Sequence, residues 1–321
     1  MDPIAQHLRR RDWFARRRDL LASGYTDAHI RAALRARAIF RVRQGWYSVP
    51  DAPEPAIRAV RVGGRLAGVA VLESYGLRVP RRELVDVAVA ANSCRLRSPG
   101  DRDRRLAHAD GVRVHWTDGS EGGSVWRTSL DDALALILRT ETRDIAVACA
   151  SSIMRYRGWS RRRLEKVFRE APEHARAWVD LVSDQDEAHG ETFARLWYLD
   201  AGIPCESQPR IGNGRRLDLR VGPNTYVEID GAQHDPLWTG EGGSSRHTDV
   251  ATDVYVASRG GSVLRFDYAM LYGQWDECLA ATRRAIADDV ELVARRRRHP
   301  AVPNPVRALR TAAKRADRRR N

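Results

Sequence analysis

The chain has 321 residues, with 55 Lys and Arg against 42 Asp and Glu and a net charge of +13. This length is enough for two or three domains, each with its own core. Four cysteines without a C-x-x-C pair argue against a zinc ribbon or a disulfide framework, and no apolar stretch suits a signal peptide or a membrane span. We therefore expect a protein of a reducing cytoplasm with no membrane partner.

The positive charge is concentrated at the two ends of the chain. Residues 1–50 hold eleven arginines against four aspartates, and residues 295–321 hold eleven Lys and Arg against one aspartate. Clustered arginine is typical of proteins that bind a polyanion, with nucleic acid the leading partner. The alternative explanation for the ends is the arginine-rich composition of a GC-rich genome. We treat residues 299–321 as a basic tail.

The first 50 residues predict two helices and a hairpin. Apolar positions among arginines predict an amphipathic helix over residues 7–22, and Thr26 is a good N-cap for a second helix over residues 27–37. Residues 39–49 read as a short hairpin with Gly45 near its turn. Helix, turn, helix and basic hairpin form the order of a winged helix-turn-helix.

The hairpin ends in Gly45-Trp46-Tyr47, and here the chain resembles the N-terminal domain of AbiEi-family antitoxins. The resemblance implies DNA binding. By the logic of that motif the second helix enters the major groove with Arg31 and Arg35 on one face, while Arg41 and Arg43 contact phosphate. The alternative is a small helical packing domain with solvated arginines.

Residues 50–55 contain three prolines and form a linker to an α+β middle domain over residues 56–182. The predicted elements of this domain are a helix start at 56–62, strands at 84–90 and 112–116, helices capped by Ser129 and Ser160, and a further helix at 173–182. No residue of this region is assigned a chemical role. His108 and His115 stand alone and are interpreted as structural.

Residues 184–298 show a different order of elements. We predict a helix at 186–201, a strand at 205–211, a hairpin at 215–230, a helix at 247–258, a strand at 262–266 and one long helix at 271–298. This is the order of a three-layer α/β domain. The predicted fold class is therefore α/β, with an N-terminal winged helix-turn-helix, an α+β middle region and a C-terminal three-layer α/β domain.

The hairpin at 215–230 turns at Gly222-Pro223-Asn224. If these three residues form the loop, Val221 pairs with Thr225, and Asp218 then lies directly opposite Glu228. Cross-strand partners of this kind have Cβ atoms roughly 5 Å apart.

Asp230 falls on the same face as Glu228, because side chains along a strand alternate with period two. Like charges opposite each other are unfavourable, so we expect a cation between Asp218 and Glu228, of which a hard divalent ion is the simplest. The alternative is three solvated carboxylates on an exposed hairpin.

With its acids in place, this order resembles the PD-(D/E)XK nuclease superfamily, and more closely a Vsr-like (very-short-patch-repair-like) endonuclease domain, over about residues 184–285. The matching residues are Glu191, Asp218, the run Glu228-Ile229-Asp230-Gly231, His234 and the strand Val263-Leu264-Arg265-Phe266. The resemblance implies a restriction-endonuclease-like three-layer α/β fold, in which Asp218, Glu228 and Glu191 bind Mg²⁺ or Mn²⁺. Such an ion neutralises a scissile phosphate and activates water.

Two positions depart from the family pattern. Asp230 stands where the superfamily has a lysine, and His234 or Gln233 could orient the water instead, with His234 better suited to proton transfer. Thr252 stands where relatives place an arginine before the acid corresponding to Asp253, and Arg246 or Arg265 could compensate.

These patterns favour a metal-dependent DNA endonuclease with Asp218, Glu228, Asp230, His234 and Glu191 as catalytic residues. The alternative is a non-enzymatic DNA-binding regulator or antitoxin-like protein with an inactive nuclease fold. An RNA-processing nuclease is a third reading, and a toxin or other protein partner is left open.

Overall fold

A computed structural model describes residues 2–118, 122–212, 214–230 and 246–298. The chain folds as two compact units, Met1–Leu196 and Trp197–Asn321. Both units combine helices with small β-sheets, so the predicted α/β class is confirmed. The finer division into 1–50, 56–182, 184–298 and 299–321 stays a prediction. None of the helices within the described ranges is long and apolar enough to cross a lipid bilayer.

The N-terminal part of the first unit is a helical layer against a small antiparallel sheet with strand order β1-β3-β2. Its elements are α1 (Pro3–Arg10), β1 (Phe14–Arg16), α2 (Arg17–Ala22), α3 (Asp27–Arg35), β2 (Phe40–Arg43) and β3 (Trp46–Ser48). Asp2 caps α1 by accepting from the N–H groups of Ile4 and Ala5. Ile4, Phe14 and Val42 are buried between the layers.

The single helix predicted over residues 7–22 is wrong. The chain leaves the helical conformation after Arg10, with positive φ values of 63° at Asp12 and 73° at Trp13. It then forms β1, in which Phe14 pairs with Ser48 of β3 and is buried. The stabilisation from this pairing and burial depends on a strand some 30 residues away, so local periodicity does not predict it.

The predictions for the second helix and the hairpin are confirmed in their main features. Thr26 caps α3, accepting from the N–H of His29, whose ring accepts from the Thr26 N–H in return. The helix ends at Arg35, and Arg37, which was predicted to belong to it, has a φ of 53°. Gly45 lies in the turn between β2 and β3 with a φ of 73°, which glycine adopts without steric cost.

The rest of the first unit contains a second small sheet, ordered β4-β5-β6, packed among helices. Its elements are α4 (Glu54–Val62), β4 (Arg65–Leu66), α5 (Gly68–Ser74), β5 (Val85–Ala90), β6 (Val112–Thr117), α6 (Leu130–Thr140), α7 (Arg143–Arg157), α8 (Arg161–Arg169), α9 (Glu173–Arg176) and the start of α10 (His189–Asp200). Ser129 and Ser160 cap α6 and α8 as predicted. The helix predicted at 173–182 is α-helical only over α9 and continues as a 3₁₀ turn at Ala177–Leu181.

The second unit is built on a four-stranded sheet with the order β10-β9-β8-β7. Its elements after α10 are β7 (Glu206–Ser207), β8 (Leu219–Arg220), β9 (Thr225–Asp230), α11 (Arg246–Ala257), β10 (Ser262–Asp267), α12 (Tyr268–Gly273) and α13 (Trp275–Arg298). Strand β8 is antiparallel to both of its neighbours, β7 and β9, whereas β10 runs parallel to β9. The predicted element order is therefore present.

Three elements predicted in this unit have the wrong bounds. The strands predicted at 205–211 and 215–221 are reduced to the two-residue β7 and β8. The long helix predicted over 271–298 is two helices, because Gln274 leaves the helical region with φ −137° and ψ 33°. Periodicity alone does not register a single non-helical residue inside an apolar pattern.

Helices lie on both faces of this sheet. On one face, Asp289 of α13 accepts from the hydroxyl of Thr225, a buried residue of β9. On the other, Val256 of α11 belongs to an apolar cluster that includes Tyr226 of β9 and Val263 of β10. Glu228 and Asp230 belong to the same face as Tyr226, since burial alternates along β9.

Candidate metal and nucleic-acid sites

The hairpin that carries the acids has the predicted register. The N–H of Val221 donates to the carbonyl of Thr225 at 3.0 Å, and Leu219 and Arg220 pair with Val227 and Tyr226. Continuing the same register by one residue brings Asp218 opposite Glu228. The regular ladder ends at Leu219, so the position of Asp218 depends on its side-chain contacts.

Asp218 binds the backbone of β9 through its carboxylate. Its Oδ2 accepts from the N–H of Ile229 at 2.8 Å, and its Oδ1 accepts from Nε2 of Gln208 at 3.3 Å. The N–H of Gln208 also donates to the Asp218 carbonyl at 2.8 Å. Because Ile229 directly follows Glu228, these bonds hold the half-buried Asp218 carboxylate next to the peptide that joins the two residues.

The carboxylate of Glu228 forms an ion pair with Arg265. Glu228 and Arg265 are Cα partners on β9 and β10, and Nη2 and Nε of Arg265 lie 2.7 and 2.9 Å from Oε2 of Glu228. The Nη1 of Arg265 donates to Oδ2 of Asp253 on α11 at 2.7 Å. The bond to Asp253 and the charge of Glu228 raise the pKa of Arg265 above its ordinary value. A guanidinium therefore supplies a cation at Glu228.

Asp230 lies at the end of β9 opposite another acid. Its Cα partner is Asp267 of β10, whose carboxylate caps α12 by accepting from the N–H of Met270 at 2.8 Å. Asp230 lies on the same face of the sheet as Glu228. Its cross-strand neighbour is an acid, so that neighbour supplies no lysine beside Asp230.

The structure does not test the roles predicted for His234 and Glu191. His234, together with Gln233, lies outside the described residues. Glu191 is in α10 and belongs to the first unit, where its Oε2 accepts from the N–H of Glu187 at 2.8 Å and its side chain is buried. Its contribution as a metal ligand stays a prediction.

Asp218 and Glu228 fit a hard divalent ion by their chemistry. Within the described ranges no group of three or more His, Cys, Asp and Glu side chains is placed to hold a metal. Mg²⁺, however, commonly uses only one or two carboxylates and completes its shell with water and substrate phosphate. In addition, Oδ1 of Asp253 is buried and has no hydrogen-bond partner in the described part of the chain. The acids on this face therefore have chemistry that suits a cation.

Arg215, to which the sequence assigned no role, contacts Thr252. Nη1 of Arg215 donates to the hydroxyl of Thr252, which is buried on α11 next to Asp253. Arg215 belongs to the segment before β8, and only the packing of α11 on that segment brings the two residues together.

The four arginines predicted to contact DNA lie in the N-terminal part of the first unit. Arg31 and Arg35 are exposed on α3, and Arg41 is exposed on β2. Arg43 is half-buried, and a β-bulge separates it from Arg41, whose partner is Tyr47 while that of Arg43 is Trp46. Burial lowers the pKa of Arg43, and the neighbouring charges of Arg16 and Arg97 lower it further.

Comparisons with known proteins give a distant likeness among solved structures. No family model matches the chain, and no curated protein matches it. Among solved structures, the catalytic domain of the homing endonuclease I-Bth0305I is similar over 32% of this chain and 96% of that domain, with 13% sequence identity and a TM-score of 0.27. A TM-score this low assigns neither fold nor chemistry.

Proposed function

We propose that the second unit is a metal-dependent DNA endonuclease, in which Asp218 and Glu228 hold Mg²⁺ or Mn²⁺. The observation that supports this most directly is the hairpin register, together with the bond from Ile229 N–H to the Asp218 carboxylate. These features bring two carboxylates to adjacent positions on one strand pair. Asp230 and His234 complete the proposed site in this unit, Glu191 stays a predicted further ligand, and Arg31, Arg35, Arg41 and Arg43 are proposed to hold the DNA.

The chain's own groups prepare this site in two ways. The Ile229 N–H and Gln208 amide fix the Asp218 carboxylate, so its orientation does not depend on a metal. Arg265 fixes the Glu228 carboxylate and offsets its charge. A bound Mg²⁺ or Mn²⁺ would neutralise charge on the scissile phosphate and supply an activated water. His234 is proposed to carry the proton, because its ordinary pKa is close to neutral pH.

Plasmid nicking tests the proposal. Purified full-length protein is incubated with supercoiled DNA and Mg²⁺ or Mn²⁺, with EDTA as the blank. We expect Asp218→Asn and Glu228→Gln to lose at least about 100-fold of the nicking rate, since the metal contributes several kcal/mol to transition-state stabilisation. Asp288→Asn, which changes an exposed acid of α13, is the matched control and should keep the wild-type rate. Undiminished nicking by both site variants would refute the assignment.

A second candidate is a DNA-binding regulator whose nuclease-like unit does no chemistry. The observation that favours it is Arg265, which contacts both Glu228 and Asp253 and so balances these acids without a metal. This candidate predicts no nicking with any divalent ion and tight binding to a particular operator. It also predicts that Mn²⁺ does not raise the melting temperature of the wild-type protein, whereas the endonuclease candidate predicts a rise that Asp218→Asn abolishes.

A further inference from the structure

A cleft of about 480 Å³ in the first unit is lined almost entirely by arginine. It lies between strand β2 and the segment 95–103, to which the sequence assigned no chemistry. Its lining residues are Arg41, Arg43, Gln44, Arg95, Arg97, Arg102 and Asp103. We call this the arginine cleft. Five guanidinium groups face one carboxylate, and Asp103 is 84% exposed at its side chain, so water screens much of its charge.

Arg43 shows that the positive charge of the cleft is not balanced by the protein. It is half-buried, and no acid in the described ranges forms an ion pair or hydrogen bond with it. Burying an unpaired charge is unfavourable, and the nearby Arg16 and Arg97 add repulsion, which agrees with the lowered pKa of Arg43. An anion in the cleft would relieve both the desolvation and the repulsion.

Backbone contacts hold the arginines together despite this repulsion. Nη1 of Arg102 donates to the carbonyl of Arg41 at 3.0 Å, which ties the 95–103 segment to β2. Nη1 of Arg97 donates to the carbonyl of Asp103 at 3.3 Å, and Arg97 pairs with Arg105 in an isolated β-bridge. The arginines of the cleft are therefore held in place by bonds to backbone carbonyl groups.

The chemistry of the lining selects a phosphate group. The planar fork of arginine matches the oxygens of phosphate, and several such forks around one cleft suit a group with more than one charged oxygen. None of the residues that line the cleft is aromatic, so it offers no ring on which a base could stack. These features suit a backbone phosphate better than a free nucleotide, which would need a surface for its base.

We infer that the arginine cleft binds a backbone phosphate of a nucleic acid, so that Arg95, Arg97 and Arg102 contact DNA together with strand β2. The inference rests on the proposed function, because it concerns the same DNA partner. It adds a second contact surface, drawn from the middle region, to the arginines of α3 and β2. The nucleic acid would thus follow β2 onto the 95–103 segment.

Salt-dependent binding of the full-length protein tests the inference. The probe is a fluorescein-labelled 20-base-pair duplex, and anisotropy is measured over a series of KCl concentrations in EDTA, so that no cleavage occurs. The test variant is Arg95→Ala/Arg97→Ala, and the matched control is Arg162→Ala/Arg169→Ala, which removes two exposed arginines of α8. The melting temperature of each variant verifies its folding.

We expect Arg95→Ala/Arg97→Ala to weaken duplex binding about 10-fold or more at low salt and to reduce the slope of log affinity against log salt by roughly one to two. This corresponds to about 0.9 for each lost phosphate contact. The control should keep the wild-type affinity and slope. An unchanged slope in the test variant would overturn the inference while leaving the proposed endonuclease intact, and binding without nicking in Mg²⁺ would do the reverse.

Competition with inorganic pyrophosphate tests whether the cleft binds a phosphate of nucleic acid or a small phosphate ligand. If the inference is right, pyrophosphate competes with the duplex for wild-type protein and competes less well for Arg95→Ala/Arg97→Ala. If the wild type binds no duplex, yet pyrophosphate raises its melting temperature and not that of the test variant, the cleft takes a small phosphate ligand. That result would overturn the assignment to nucleic acid.

Discussion

Arg265 contacts one oxygen of Glu228 through two nitrogens, Nη2 at 2.7 Å and Nε at 2.9 Å, from the neighbouring strand of a parallel pair. The remaining guanidinium nitrogen, Nη1, contacts Asp253 at 2.7 Å. A single cation thus links two acids of different elements, and it does so next to the peptide that binds Asp218. The proposed metal would therefore share the Glu228 carboxylate with this guanidinium.

Replacing Arg265 should make the unit more dependent on a divalent ion. Arg265→Gln leaves Glu228 and Asp253 without their cation, so we expect the free energy of unfolding to fall by about 1–3 kcal/mol in EDTA. Mn²⁺ should then raise the melting temperature more than it does in the wild type, because it can replace the lost charge. Arg283→Gln on the exposed side of α13 is the control. An equal Mn²⁺ effect in Arg265→Gln and wild type would contradict the prediction.

Two substitutions of Asp218 should separate its structural role from its proposed metal-binding role. Asp218→Asn keeps an oxygen that can accept from the Ile229 N–H, whereas Asp218→Ala leaves that donor without its partner. We expect about 1–3 kcal/mol of destabilisation for the alanine variant and less for the asparagine variant, measured by urea unfolding. Both should lose the Mn²⁺-dependent rise in melting temperature. Retention of that rise in either variant would argue against Asp218 as a ligand.

Asp289 should support the hairpin from the opposite face of the sheet. Its carboxylate accepts from the N–H of Asn224 at 2.6 Å, from the Asn224 side-chain amide at 3.1 Å and from the Thr225 hydroxyl at 2.9 Å. Removing a buried acceptor of three hydrogen bonds should cost about 2–4 kcal/mol in Asp289→Ala. The adjacent Asp288 is exposed, so Asp288→Ala should change the melting temperature little. Similar losses in the two variants would contradict this role.

Acid should weaken the first unit through Asp86. Burial by itself raises the pKa of Asp86, but hydrogen bonds from His115 and Arg113 outweigh it and hold the pKa below its ordinary value. The folded-state pKa is depressed, so this contribution to stability is complete above the unfolded-state pKa of about 3.9 and is lost as the pH falls through the folded-state pKa.

We therefore expect the urea midpoint of the wild type to fall below about pH 4, and Asp86→Asn to lose about 3–5 kcal/mol at pH 7 with a smaller loss at acid pH. Glu170→Gln changes an exposed acid and serves as the control. A deficit in Asp86→Asn that stays constant between pH 7 and pH 3 would contradict the linkage.

Deleting the basic tail should weaken DNA binding without altering sequence preference. Residues 299–321 contain seven Lys and Arg against one Asp, and such segments act by releasing counterions from the phosphate backbone. The truncated protein should show a shallower slope of log affinity against log salt and the same ranking among duplexes. An unchanged slope would exclude the tail from DNA binding.

The sequence by itself determined the local elements of this protein. Thr26, Ser129 and Ser160 cap helices because a short side-chain oxygen next to a helical pattern satisfies N–H groups within three residues. The turn at residues 222–224 determined the hairpin register, since a short loop between β-branched runs leaves one pairing that keeps the apolar face inside. Continued by one residue, that register brings Asp218 opposite Glu228, and bonds from the Ile229 N–H and the Gln208 amide then hold its carboxylate.

Tertiary structure decided the rest, wherever partners are distant in sequence. β1 replaces part of a predicted helix because Phe14 is buried and pairs with a strand some 30 residues later. Arg265 reaches Glu228 only because β10 pairs in parallel with β9, and the arginine cleft exists only because residues 95–103 fold back onto β2. Helix caps and strand alternation depend on residues close together in the sequence, so local patterns predict them. Contacts between distant segments depend on how the chain folds, so local patterns do not predict them.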